Sequence, residues 1–286
     1  MVNNNEGAVY QTRLPAVVLN FAGGRGEKAA AFAPAMMPRL CILLALLLAV
    51  APARAAELRI AVASNFAATL GELARTFEEQ TGHRLRLSPG STGKHYAQIR
   101  HGAPFDLFFA ADARRPRLLE DSGVAVKGSR FTYAQGRLVL WSPRADALKP
   151  DHAAIPDRLA SGDFRRLAIA NPKLAPYGRA AREVLQAQGL WSRLRPRLVR
   201  GENVGQTIQF VSTGNAELGF VALSQVIPAR GQPARGAYWE VPRALYTPIL
   251  QQAVLIRDSD AAREFLRFVR SAQARALIRA HGYRVR

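Results

Sequence analysis

Three places in the chain stand where an apolar strand gives way to a helical pattern, and the first two bring small hydroxyl or amide side chains there. They are Ser64-Asn65, Ser91-Thr92-Gly93 and Ala175-Pro176-Tyr177-Gly178. The first turn of a helix presents unpaired backbone N–H groups and a partial positive charge of about half a unit, which together favour an anion. Ser, Thr and Asn beside such a turn add neutral donors. Neutral donors suit a fully dehydrated oxyanion, because they hold its charge through many hydrogen bonds without a buried counter-ion. A ligand that must itself donate a proton finds no acceptor there. One junction alone reads as an ordinary helix cap, and Ser64, Asn65, Ser91 and Thr92 are candidates only as a set.

Other chemistries lack their residues. Gly90-Ser91-Thr92-Gly93-Lys94 has the look of a phosphate-binding loop, but Ser88 stands where its first glycine belongs and His95 follows the lysine in place of Ser or Thr. No G-x-S-x-G elbow and no HExxH pair occurs. His83, His95, His101, His152 and His281 have no metal-ligand spacing. Asp106 and Asp112 flank an apolar strand, where capping is the expected role. The chain therefore reads as a binding protein rather than an enzyme, with no cofactor and no residue liganding a metal cation directly.

Short apolar strands alternating with amphipathic helices must position these junctions, the pattern of an α/β protein. The expected strands are Leu58–Ala63, Leu85–Ser88, Asp106–Ala111, Leu138–Trp141, Leu167–Ala170, Leu198–Val199, Leu218–Val221, Tyr238–Val241 and Ile249–Ile256. After the first strand, Phe66, Leu70, Leu73, Ala74 and Phe77 recur at helical spacing, and Thr81-Gly82 closes that helix. Further helices are expected at Tyr177–Gln188, Gly205–Ser212 and Ala261–Ala280, with Asp260 capping the last. Ligands of open α/β sheets gather beyond the carboxyl ends of strands, where the junctions lie.

Near the N-terminus, Arg39, the apolar run Leu40–Val50 and the small-x-small pattern Ala53-Arg54-Ala55 form a secretory signal. The run is short of the roughly 20 apolar residues that span a bilayer. Residues 1–35 read as an unstructured or non-native extension, 36–55 as a signal peptide cleaved near Ala55, and the folded chain as starting at Ala56. The single cysteine, Cys41, falls in the removed part, so the exported chain has no thiol. Formal net charge is +19 for all 286 residues. Residues 56–286 hold 35 Lys and Arg against 19 Asp and Glu, a balance of +16. The basic residues are dispersed and mixed with acids, and no nucleic-acid module is present, so the charge reads as solvated surface that assists anion capture at long range.

From Ile60 to Tyr283 the sequence resembles the periplasmic molybdate-binding proteins of molybdate ABC importers. Residues carrying the resemblance are Ala63-Ser64-Asn65-Phe66, Gly90-Ser91-Thr92-Gly93-Lys94, Tyr96-Ala97-Gln98-Ile99, Gly102–Phe108 and Ala110-Ala111-Asp112. Gly128–Ala134, Ala170–Gly178 and Gly214–Val221 complete the set. The resemblance implies a type II periplasmic-binding fold, with two α/β lobes closing over molybdate or tungstate. Lobe I would comprise 56–136 plus 248–286, and lobe II 137–247. It implies oxyanion donors at Ser64, Asn65, Ser91, Thr92 (the main ligand of its pair), Tyr133 and, through its backbone, Ala175. It further implies a periplasmic monomer that delivers its ligand to the membrane permease of an ABC importer.

Overall fold

The computed structural model describes residues 55–148, 156–227 and 236–285. The expected extension at 1–35 and all of the signal segment except Ala55 lie outside these residues. From the N-terminal side come β1 (Glu57–Ala63), β2 (Arg84–Gly90), β3 (Leu107–Ala110) and β4 (Phe131–Gly136). Then follow β5 (Leu138–Ser142), β6 (Leu167–Ala170), β7 (Leu198–Gly201), β8 (Leu218–Ala222), β9 (Ala237–Glu240) and finally β10 (Ile249–Leu255). They form two five-stranded sheets, ordered β2-β1-β3-β10-β4 and β7-β6-β8-β5-β9. The chain passes from the first sheet to the second between Gly136 and Leu138, and returns between β9 and β10.

Each sheet is mixed in the same way. In the first, β1 lies parallel between β2 and β3, pairing Ile60 with Leu87 and with Leu107. β10 runs antiparallel to β3 and β4, and its register against β4 shifts between Gln251 and Gln252. In the second, β6 is parallel to β7 and β8, while β5 is antiparallel to β8 and β9. Alternation along β1 sends Leu58, Ile60 and Val62 into one core and Ala61 into another on the opposite face. β3 is buried throughout, as its unbroken apolar run requires.

Helices α1 (Ala67–Thr81), α2 (Thr92–Arg100) and α3 (Arg114–Asp121) follow β1, β2 and β3. α1 buries Leu70, Leu73, Ala74 and Phe77, the stripe read from the sequence. The second sheet carries α4 (Asp157–Ser161), α5 (Pro176–Ala187), α6 (Trp191–Leu194), α7 (Val204–Ser212) and α8 (Leu223–Val226). The expected single helix over 261–280 is instead two, α9 (Asp260–Val269) and α10 (Ala272–Ala280). Ser271 breaks it by accepting the Ala274 N–H at 3.2 Å, a cap of its own. Asp260 is the first residue of α9 and not its cap; Ser259 accepts the Ala262 N–H at 3.3 Å. Asp112 stands one residue before the N-cap of α3, Ala113, yet its carboxylate takes the Arg115 N–H at 2.9 Å and the Arg115 guanidinium at 2.5 Å.

Candidate functional site

Four of the six candidate residues meet beyond the carboxyl ends of β1, β2 and β3, and the hydroxyl of a fifth, Tyr133 on β4, reaches the last residue of β3. The Ser64 N–H donates to the Gly90 carbonyl at 2.9 Å, which ties the end of β1 to the end of β2. Its Oγ accepts the N–H of Gly205, in the first turn of α7, at 3.1 Å. Thr92 Oγ1 accepts the Ala111 N–H at 3.0 Å. Ser91 Oγ caps α2 by accepting the Lys94 N–H at 3.2 Å. Ser91 and Thr92 are both buried. In all three cases a backbone N–H fills an acceptor position on the hydroxyl oxygen, which leaves the hydroxyl proton to be donated. The strand ends thus present three buried or half-buried hydroxyls already set as donors.

Asn65 serves differently from its neighbour. Its Nδ2 donates to Gln251 Oε1 at 2.9 Å and to the Tyr283 hydroxyl at 3.1 Å, which uses both amide protons. Its carbonyl accepts from the Tyr283 hydroxyl at 2.7 Å and from Ser224 Oγ at 3.2 Å. No partner for the Asn65 N–H occurs among the described residues, so the side chain holds the loop and the backbone offers the donor. Neither Ser64 nor Asn65 caps α1, whose N-cap is Phe66.

The Tyr133 hydroxyl lies 3.0 Å from Gln251 Oε1 and 3.2 Å from the Ala110 carbonyl, two acceptors for one proton. Burial pushes its pKa well above that of an ordinary phenol, with Tyr283 and Asp112 adding to the shift. It is a neutral donor at any physiological pH. Tyr177, fully buried and likewise raised, receives a 3.3 Å bond from Gln251 Nε2.

Ala175, the sixth candidate, precedes α5 as its N-cap, and its N–H donates to the Asn171 carbonyl at 2.8 Å. The neighbouring Leu174 carbonyl accepts the Gly93 N–H at 2.8 Å, joining the two sheets' loops. A Cβ on Gly93 would sit 2.8 Å from that same carbonyl oxygen, so glycine is needed for the approach. Sequence reasoning missed the turn that reaches Ser64 from the second sheet, Asn203-Val204-Gly205. Asn203 Oδ1 caps α7 through the Gln206 N–H at 3.0 Å, and the Val204 N–H has no partner among the described residues. The missed signal was a strand-to-helix junction of the same kind as the three nominated. Gln251, Ser224 and Tyr283 were missed too, and Tyr177, part of the third junction, was given no role of its own.

Further contacts draw the two edges together: Lys94 to Glu202 at 3.5 Å and the Arg115 guanidinium to the Lys173 carbonyl at 3.1 Å. The result is a constellation of neutral donors, suited to holding an oxyanion. Among the described residues no group of three His, Cys, Asp or Glu side chains is placed to hold a metal ion.

Residues 58–284 match the family model described as bacterial extracellular solute-binding protein. The molybdate-binding protein ModA of Azotobacter vinelandii is 46% identical over 250 residues, covering 86% of this chain and 97% of the relative. ModA of Rhodobacter capsulatus is 45% identical over 237 residues, covering 81% and 90% respectively. Among solved structures, the Azotobacter vinelandii periplasmic molybdate-binding protein superposes with a TM-score of 0.76 at 41% identity, over 80% of this chain and 99% of that one.

Proposed function

The chain belongs to the bacterial extracellular solute-binding protein family, and on that premise we propose that it captures molybdate or tungstate and delivers it to the membrane permease of an ABC importer. In this reading the protein is exported, cleaved near Ala55, works in the periplasm as a monomer and catalyses no reaction. The observation that carries the proposal is the set of hydroxyls on Ser64, Ser91 and Thr92, each with a backbone N–H on its oxygen and its proton left to donate. The Asn65 N–H extends the set, and Tyr133 joins it by turning its hydroxyl proton away from Gln251 and the Ala110 carbonyl. The second lobe contributes backbone N–H groups from the turns at Ala175 and Val204. Of these, Val204 is the one without a competing acceptor.

Such a site selects by protonation state and by size. A dianion with four bare oxygens satisfies every donor, whereas a hydrogen phosphate brings a proton that needs an acceptor. Molybdate and tungstate share charge and shape, so a site sized for one holds the other. Lobe I (56–136 plus 248–286) binds first, and lobe II (137–247) closes by rotation about the two crossings. Closure joins Ser64 to Gly205 and Asn65 to Ser224.

Thermal unfolding with molybdate, tungstate, sulfate and phosphate added separately tests the proposal. Ligand at about 1,000 times its Kd adds about 4 kcal/mol to stability. For a chain of this size that raises Tm by roughly 8–16 °C. Molybdate and tungstate should each give this shift, with sulfate and phosphate giving none. A shift with sulfate alone reassigns the ligand, and no shift with any oxyanion overturns the reading.

A further inference from the structure

Beside the loop that leaves β6, the second sheet's layer holds a further cavity of about 450 Å³ whose polar lining is almost wholly cationic. Its walls come from the loop after β6 (Asn171, Lys173), from Arg182 on α5, Trp191 on α6, Arg195 in the turn that follows, and Arg200 on β7. β6 and β7 are parallel neighbours, with Ile169 opposite Arg200, so the sheet itself holds these groups together. Asn171 and Lys173 meet the cleft's edge only through their backbone carbonyls, which accept from Ala175 and Arg115, and no lining side chain takes part in the donor constellation.

Lys173, Arg182, Arg195 and Arg200 are exposed and have no carboxylate partner among the described residues. The carboxylates nearest them in sequence are engaged elsewhere: Glu183 with Arg179 at 3.7 Å and the Thr247 N–H at 2.7 Å, and Glu202 with Lys94 at 3.5 Å. Asn171 Oδ1 is taken by the Lys173 N–H at 3.0 Å, which leaves its amide N–H groups as donors. Trp191 packs on the core beneath, and the Arg182 guanidinium lies 5.3 Å from its ring centroid. That cation–π contact fixes the direction of one arginine and covers the ring against stacking by a ligand. The lining therefore offers donors and positive charge, with no aromatic platform.

We infer that this cavity is a second anion site, which takes a compact polyanion of the condensed-phosphate type. A single exposed charge pair is worth little in water, so binding here requires several anionic oxygens engaging several cations at once. Guanidinium groups meet phosphate oxygens in paired hydrogen bonds, and the cavity is far larger than one tetrahedral oxyanion needs.

Inorganic pyrophosphate, titrated by calorimetry into the whole protein with the cleft saturated by molybdate, is the direct probe. One equivalent should bind, and Arg195→Ala with Arg200→Ala should weaken it at least tenfold. The control pair is Arg275→Ala with Arg279→Ala, both exposed on α10, which removes the same charge elsewhere. It should leave the affinity within about twofold. The site is overturned if pyrophosphate does not bind, if molybdate displaces it, or if both pairs of substitutions weaken it equally. Molybdate is titrated in first and its own isotherm recorded before pyrophosphate is added, so failure here is distinct from failure of the cleft assignment.

Discussion

Asn65 and Gln251 lie 186 residues apart in sequence and share a 2.9 Å hydrogen bond in the buried layer behind the donor cluster. Gln251 is wholly buried on β10, at the point where pairing with β4 slips by one residue. Its Oε1 also accepts from Tyr133 in the same sheet, and its Nε2 donates to Tyr177 on α5. One amide thereby orients a loop donor and a phenol donor of the first lobe and touches the second lobe from behind. A buried network of this kind is stabilising only while each member is satisfied.

Gln251→Leu should therefore cost more than its change in size suggests. Asn65 Nδ2 and the Tyr177 hydroxyl each lose a partner in a site closed to water, at about 1–3 kcal/mol for a buried group left unpaired. Urea unfolding should show that loss. Molybdate affinity should fall as well, because the Asn65 backbone and Tyr133 are no longer held. Unchanged stability and affinity would remove Gln251 from the support of the site.

Ser64→Ala, Thr92→Ala and Tyr133→Phe test the donors themselves. A hydrogen bond to a charged group is worth about 1.5–3 kcal/mol, so each substitution should weaken molybdate binding by at least about tenfold. Ser64→Ala should leave the unliganded protein nearly as stable, since Ser64 is only half-buried. Thr92→Ala should also lower stability, because the Ala111 N–H loses its acceptor. Calorimetry with affinities unchanged in all three would mean that the oxyanion binds elsewhere.

What the sequence made legible was local. Ser64, Asn65, Ser91 and Thr92 stand at strand-to-helix junctions that periodicity locates, and the stripe Leu70–Phe77 marks α1 unaided. What holds Asn65 and Tyr133 in place was not legible, because both bond to Gln251, brought to them by a return crossing from the far end of the chain. Two adjacent glutamines inside an otherwise apolar strand were the available signal, since a buried amide must be satisfied. The division of the last helix hung on Ser271, a cap residue that the apolar pattern on either side concealed. The junction at Asn203 carried the same signature as the others, yet its meeting with Ser64 is a tertiary fact.

His95 sets an acid limit on stability. Burial pushes its pKa below the ordinary 6.5, helped by Lys94 and partly offset by Gln98 and the backbone carbonyls of Val62 and Ser88. The folded state keeps the ring neutral, whereas the unfolded chain takes up a proton as pH falls through about 6.5. Unfolded protein then binds more protons, so this contribution is intact above pH ~6.5 and is lost progressively below it. His95→Gln should flatten the dependence of the urea midpoint on pH between about 5 and 7. An unchanged slope would show that other groups govern it.

Gly178→Ala tests how closely α5 must approach β6. A Cβ at Gly178 would run into the Ala170 carbonyl oxygen and come within 2.9 Å of the Asn171 carbonyl carbon. Both are backbone atoms, so no rotamer change relieves the contact. Inside a helix alanine is favoured over glycine by about 0.5–1 kcal/mol, and overpacking costs about 1–3 kcal/mol. The two effects oppose each other, and the immovable neighbours decide for destabilisation. Tyr177 moves with α5, so molybdate affinity should fall alongside stability as its bond to Gln251 lengthens. A variant that melts higher than the parent would show that helix propensity outweighs the contact, and that this glycine is not what seats α5 on the sheet.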